Sequence, residues 1–194
     1  MSAQPINPDK PSNILIDRVN TGVERQDLAN VKVAGGNQKD TVVVDYAGQL
    51  DIKTKGGNDR VIINKVNLGS SDQLSQGNID LGAGDDFVYF NNPLRNNSGK
   101  DGDKYIVKGG SGYDTAVFSN DKKLTSIETV TPDSLQNLLR AKMGKDLDSH
   151  IEVTDATGRR YVFRDVEAVV QGGMQLTPGQ TPPAPKDLPK GNGL

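Results

Sequence analysis

Four short stretches of this chain share one pattern: a glycine turn, an aspartate, then a strand-prone run. They are Gly35-Gly36-Asn37-Gln38-Lys39-Asp40-Thr41-Val42-Val43 and Thr54-Lys55-Gly56-Gly57-Asn58-Asp59-Arg60-Val61-Ile62. Then come Leu81-Gly82-Ala83-Gly84-Asp85-Asp86-Phe87-Val88-Tyr89 and Gly109-Gly110-Ser111-Gly112-Tyr113-Asp114-Thr115-Ala116-Val117. In each, Val or Ala stands two positions past the aspartate. Alternating apolar residues precede each turn: Val31 and Val33, Ile52, Ile79 and Leu81, and Ile106. Such self-similarity marks stacked units, none of which can bury a hydrophobic face alone. Glycine turns between short alternating strands therefore predict coils in register, with the turns in one column.

Composition agrees with a lean, turn-dense protein. Of 194 residues, 34% are hydrophobic and 5% aromatic, with no Trp and 22 glycines. That is thin for a large globular core, yet too rich in Val and Ile for plain disorder. Lys plus Arg number 23 against 25 Asp plus Glu, a net charge of −2. A sequence-independent grip on nucleic acid needs a basic surface, so nucleic acid is not an expected partner. Cysteine is absent, which excludes disulfides and thiolate metal sites. No run approaches the ~18 apolar residues of a membrane span. Met1 to Pro11 lacks the charged-then-apolar pattern of a secretory signal.

The four segments resemble the nonapeptide repeats of the RTX (hemolysin-type) calcium-binding family, Gly-Gly-x-Gly-x-Asp-x-apolar-x. Residues 109–117 match at the first, second, fourth and sixth positions, and 81–89 lose only the first glycine. The other two are degenerate: Gln38 replaces the fourth-position glycine, and Thr54 and Lys55 replace the first pair. The resemblance implies a mainly β fold, a right-handed parallel β-roll or β-helix with a short C-terminal helix and a β cap. It also implies Ca2+ as cofactor. Asp40, Asp59, Asp86 and Asp114 would be the carboxylate ligands, with carbonyls from turns containing Gly57, Gly82, Gly84, Gly109, Gly110 and Gly112. Calcium wants six to eight oxygens, and a glycine turn can aim several carbonyls inward.

Spacing departs from the family. The aspartates at 40, 59, 86 and 114 lie 19, 27 and 28 residues apart, whereas a plain two-nonapeptide coil takes about 18. Either the far-edge turns of the later coils have grown, giving polar loops at 65–77 and 91–103, or the coil is three-sided. The loops hold residues such as Asn67, Gln73, Arg95 and Lys100 and are candidate surfaces for a polysaccharide or protein partner.

Past residue 118 the pattern changes. Thr131-Pro132-Asp133 has the form of a helix start, and Leu135, Leu138, Leu139 and Met143 share one face, predicting a helix over about 132–143. Ile151 to Val170 reads as a hairpin around Ala156-Thr157-Gly158. The expected organisation is a disordered tail at 1–12, a roll at 13–118, a cap at 119–176, and a disordered Pro/Gly-rich tail at 177–194. Catalytic motifs are missing: His150 is the single histidine and has no partner motif. The expected role is a secreted bacterial calcium-binding module, structural or surface-binding. The alternatives are a small polysaccharide-acting β-helix enzyme and a translocated effector.

Overall fold

The computed structural model describes residues 13–16, 30–44, 49–64, 76–91, 104–131 and 149–188. Its strands form two sheets. The first contains, in order, β1 (Asn13–Ile16), β3 (Thr41–Val44), β5 (Arg60–Ile63), β7 (Phe87–Phe90), β9 (Thr115–Phe118), β13 (Ala168–Gln171) and β14 (Met174–Gln175). The second runs β10 (Leu124–Val130), β11 (His150–Asp155), β12 (Arg160–Arg164), β8 (Lys104–Ser111), β6 (Gln76–Ala83), β4 (Gln49–Lys53) and β2 (Asn30–Ala34). From β1 to β9 consecutive strands alternate between the sheets, and each from β3 onward pairs in parallel with the strand two earlier in the chain. The expected helix at 132–143, the tail at 1–12 and most of the loops 65–77 and 91–103 lie outside the described residues. Among those described there are two sheets and no third. No described helix is long and apolar enough to cross a membrane.

Period-two alternation decides which side chains face inward. On the first sheet Val42, Val61, Val88, Ala116 and Val169 pair in one row, all at most 1% exposed. Opposite them run Val33, Ile52, Ile79, Val107 and Phe163. The inward residue of β8 is thus Val107, and Ile106, singled out in the sequence, faces outward beside Val162. A second inner row reads Leu50, Gly77, Tyr105, Tyr161, and a third Val44, Ile63, Phe90, Phe118, Gln171. Gly77 is small because a Cβ there would lie 2.7 Å from the Tyr105 ring. Phe90, Phe118, Tyr105, Tyr161 and Phe163 pack together with centroid separations between 4.9 and 6.3 Å.

The outer faces differ. Lys53, Asp80 and Lys108 alternate in charge across the second sheet. The first sheet instead carries a row of half-buried Val43, Ile62, Tyr89, Val117 and Val170. Beside it, the rings of Phe87 and Tyr89 stack at 6.4 Å, and Arg60 lies over Phe87 at 5.2 Å.

The C-terminal region adds detail to the sequence expectations. The hairpin around 156–158 is present, β11 to β12, but it is not only a cap. Its second strand pairs in parallel with β8, and β13 then pairs in parallel with β9, so the chain makes one more coil after the insertion of β10 and β11. The buried ends of this coil are held by polar groups. Lys122 Nζ meets Asp155 Oδ2 at 3.2 Å, Tyr161 donates to the same oxygen, and Gln171 Nε2 donates to the carbonyls of Ser119 and Lys122. Residues 177–188 pack against the preceding strands. Gly179 N–H donates to Ile127 O, Pro182 and Leu188 are buried, and a 3-10 turn forms at Pro185–Asp187. Proline and glycine block ladder pairing there but do not prevent side-chain packing.

The register generates a paired prediction. Val88→Asp places an unpaired charge inside and should cost about 3–5 kcal/mol. Tyr89→Ser, one residue on and facing outward, should cost about 1 kcal/mol from lost ring stacking. Urea unfolding of both variants measures the contrast, and the reverse order would put the register out by one.

Candidate metal centre

The four aspartates form a single column. Asp40 N–H donates to Asp59 Oδ1 at 2.7 Å, Asp59 N–H to Asp86 Oδ1 at 2.7 Å, and Asp86 N–H to Asp114 Oδ1 at 2.9 Å. The carboxylates of Asp59, Asp86 and Asp114 thus each hold the main chain of the preceding coil, and all four aspartates are at most 2% exposed. The column has a fifth member that the repeat pattern does not contain. Asp114 N–H donates to Glu167 Oε2 at 2.7 Å. Glu167 stands two residues before inward-facing Val169, as each aspartate stands before its Val or Ala. That spacing was the readable signal, but no glycine turn precedes it.

An outer ladder runs alongside. Asp85 N–H donates to Asn58 Oδ1, and Tyr113 N–H donates to Asp85 Oδ1. Asp85 is therefore a structural acceptor between turns. The glycines stack as closely. A Cβ on Gly82 would lie 1.8 Å from Lys55 O, and one on Gly84 would lie 2.1 Å from Gly57 O. Gly110 and Gly112 meet Gly82 O and Gly84 O in the same manner. Gly84, at φ 133°, adopts backbone that a side chain disfavours, so both its conformation and the carbonyl packed against it demand glycine. Gly57, Gly84 and Gly112 thus share a column, as Gly82 and Gly110 do. Gly109 takes the same first turn position as Gly35, and a Cβ on either would strike its own turn's aspartate Oδ2.

One oxygen is left over on three of the four inner carboxylates. Asp40 Oδ2 accepts Gly36 N–H at 2.7 Å. Asp59, Asp86 and Asp114 each bury Oδ2 without a hydrogen-bond partner. Burial, reinforced by the neighbouring carboxylates, raises all three above the usual carboxylate range and pushes Asp86 up to about 7. Such a row wants either protons or cations. The donors are all oxygen, the chemistry a hard cation prefers. Among the described residues no three His, Cys, Asp or Glu side chains gather around one point. A cation here must therefore complete its shell from turn carbonyls, with one or two carboxylates at each junction. His150 opens β11, away from the column.

Comparison of the chain with protein-family models, curated proteins and solved structures gives no match.

The raised carboxylates set the pH response of metal-stripped protein. Between about pH 4 and pH 7 the folded Asp86 keeps a proton that the unfolded chain, with an ordinary value of 3.8, has released. Its contribution to stability is present below that window and is lost as pH rises through it. The melting temperature of stripped protein should therefore fall from pH 5 to pH 8, and calcium should restore it far more at pH 8. Circular-dichroism melts check this; a stripped protein that gains stability over that range would contradict it.

Proposed function

We propose that the chain is a calcium-binding module of the RTX type, a right-handed parallel β-roll closed by a C-terminal cap. In this reading it is secreted and serves a structural or surface-binding role rather than a catalytic one. The observation that supports it is the row of three buried Oδ2 atoms on Asp59, Asp86 and Asp114, stacked beside glycine turns. Calcium would neutralise the column and draw the turn carbonyls together, so binding and folding are linked. Because the ion meets its full set of oxygens only in the folded chain, stability rises as RT ln(1 + [Ca]/Kd) for each site.

The experiment is a thermal melt and a calorimetric titration of the full chain. Millimolar calcium should raise the melting temperature and sharpen the transition. Asp86→Asn and Asp114→Asn should each weaken calcium binding tenfold or more, whereas Asp51→Asn, on β4 away from the column, should leave it unchanged. Identical melts with and without calcium would remove the metal from this reading.

The binding role in this proposal belongs to the outer face of the first sheet. Phe87 and Tyr89 offer flat apolar rings of the kind that stack on sugar faces, on a rigid scaffold. Retention on an insoluble polysaccharide should drop several-fold in the double variant Phe87→Ala, Tyr89→Ser. Unchanged retention would leave a structural role alone.

A further inference from the structure

The glycine turns end one coil before the parallel pairing does. Arg164 pairs with Lys108, so Asp165 lies over Gly109 and Glu167 lies over Asp114. Between them stands one residue, buried Val166, where the repeats have four. The last glycine turn is thus covered only at its two ends, and Gly110 to Tyr113 face solvent.

At the covered ends, oxygens converge. A Cβ on Gly109 would lie 1.8 Å from Asp165 O and 2.4 Å from Asp114 Oδ2, so both oxygens pack against the bare Cα of Gly109 and lie close to one another. The first turn has the same arrangement, with Thr54 O and Asp40 Oδ2 packed against Gly35. There an N–H resolves it, because Gly36 donates to Asp40 Oδ2. At the last turn Asp114, 0% exposed, keeps Oδ2 without a hydrogen-bond partner. Asp165 sits at φ 50°, rare for a residue other than glycine, and that backbone carries its carbonyl onto Gly109. Glu167 adds a second carboxylate, its Oε2 bonded to Asp114 N–H. The buried Asp114 Oδ2 and the Asp165 carbonyl thus both lie against Gly109, with the Glu167 carboxylate bonded to the main chain of Asp114.

We infer that this junction holds a divalent cation of its own, of the calcium class, between Asp114, the main-chain carbonyl of Asp165 and Glu167. The inference rests on the calcium reading for the nature of the ion. It differs in placing a site outside the glycine repeats, completed by the returning coil. The ion staples β12 and β13 to the last repeat, so the C-terminal coil docks when the metal is bound.

Native mass spectrometry of the full chain in calcium counts the ions, and hydrogen exchange reads the coil. Glu167→Gln keeps an acceptor for Asp114 N–H and removes the charge. It should bind one ion fewer than wild type, or bind one ion at least tenfold more weakly. Exchange over 160–171 should quicken while the coils at 41–63 are unchanged. If the variant fails to fold, Glu167→Asp, which keeps the charge and shortens its reach, is read by the same count. Wild-type ion number and affinity in the variant would overturn the site, leaving the repeat sites standing. A wild-type chain that binds no ion would sink the calcium reading and this site with it.

Discussion

The hydrogen bond from one aspartate's N–H to the next coil's carboxylate organises the rest of the molecule. It sets the stacking register, because only one alignment of coils brings residue 59 under 40, 86 under 59 and 114 under 86. It fixes the inward face too, since the residue two past each aspartate shares the strand's interior side. The same bond uses one carboxylate oxygen and leaves the other in a confined place. The glycine turns follow from this closeness: carbonyls packed against the coil above leave no room for a Cβ. The order of the sheets and the demand for counter-charge thus arise from one repeated contact.

Where that contact ends, other polar devices take over. The final coil has no glycine turn, yet Glu167 reproduces the bond with a longer side chain reaching from a shorter turn. On the far side of the same coil, Lys122, Asp155, Tyr161 and Gln171 form a buried network. Asp155 is the most fully satisfied carboxylate there, taking bonds from Thr157 N–H and Oγ1, Arg159 N–H and the Tyr161 hydroxyl. Burial alone would raise it, but Lys122 and these donors outweigh burial and hold it below the usual range. Two buried aspartate environments therefore coexist: one fully paired, the other a row short of donors.

The repeats were legible because their two signals coincide. Glycine marks the turn, and an acid followed at the second position by Val or Ala marks the strand. Asp40 could be placed despite Gln38, and Asp59 despite Lys55, because the second signal survived. Lys55 adopts φ 79°, a positive φ like those of its counterparts Gly82 and Gly110, and only the structure reveals that. Glu167 was hidden because its turn is short and its acid is longer. Ile106 and Val107 are adjacent apolar residues, so the sequence offers no alternation that tells which faces inward. Composition reads residues 177–188 as a tail because it registers their prolines and glycines. It does not register that Leu188 closes over Gly172.

The inner rows are graded from one end of the stack to the other. Val33, Val42 and Val44 line the early coils, whereas Phe90, Phe118, Tyr105, Tyr161 and Phe163 fill the late ones. In a stack whose units touch only their neighbours, stability is close to a sum of local terms. Larger rings bury more apolar area per coil, so those terms grow toward the C-terminal side. The stack therefore has a polarity of wear. Thermal fluctuations should peel coils from the valine end while the aromatic end stays closed, and regrowth should proceed by laying coils back onto that closed end, as onto a seed.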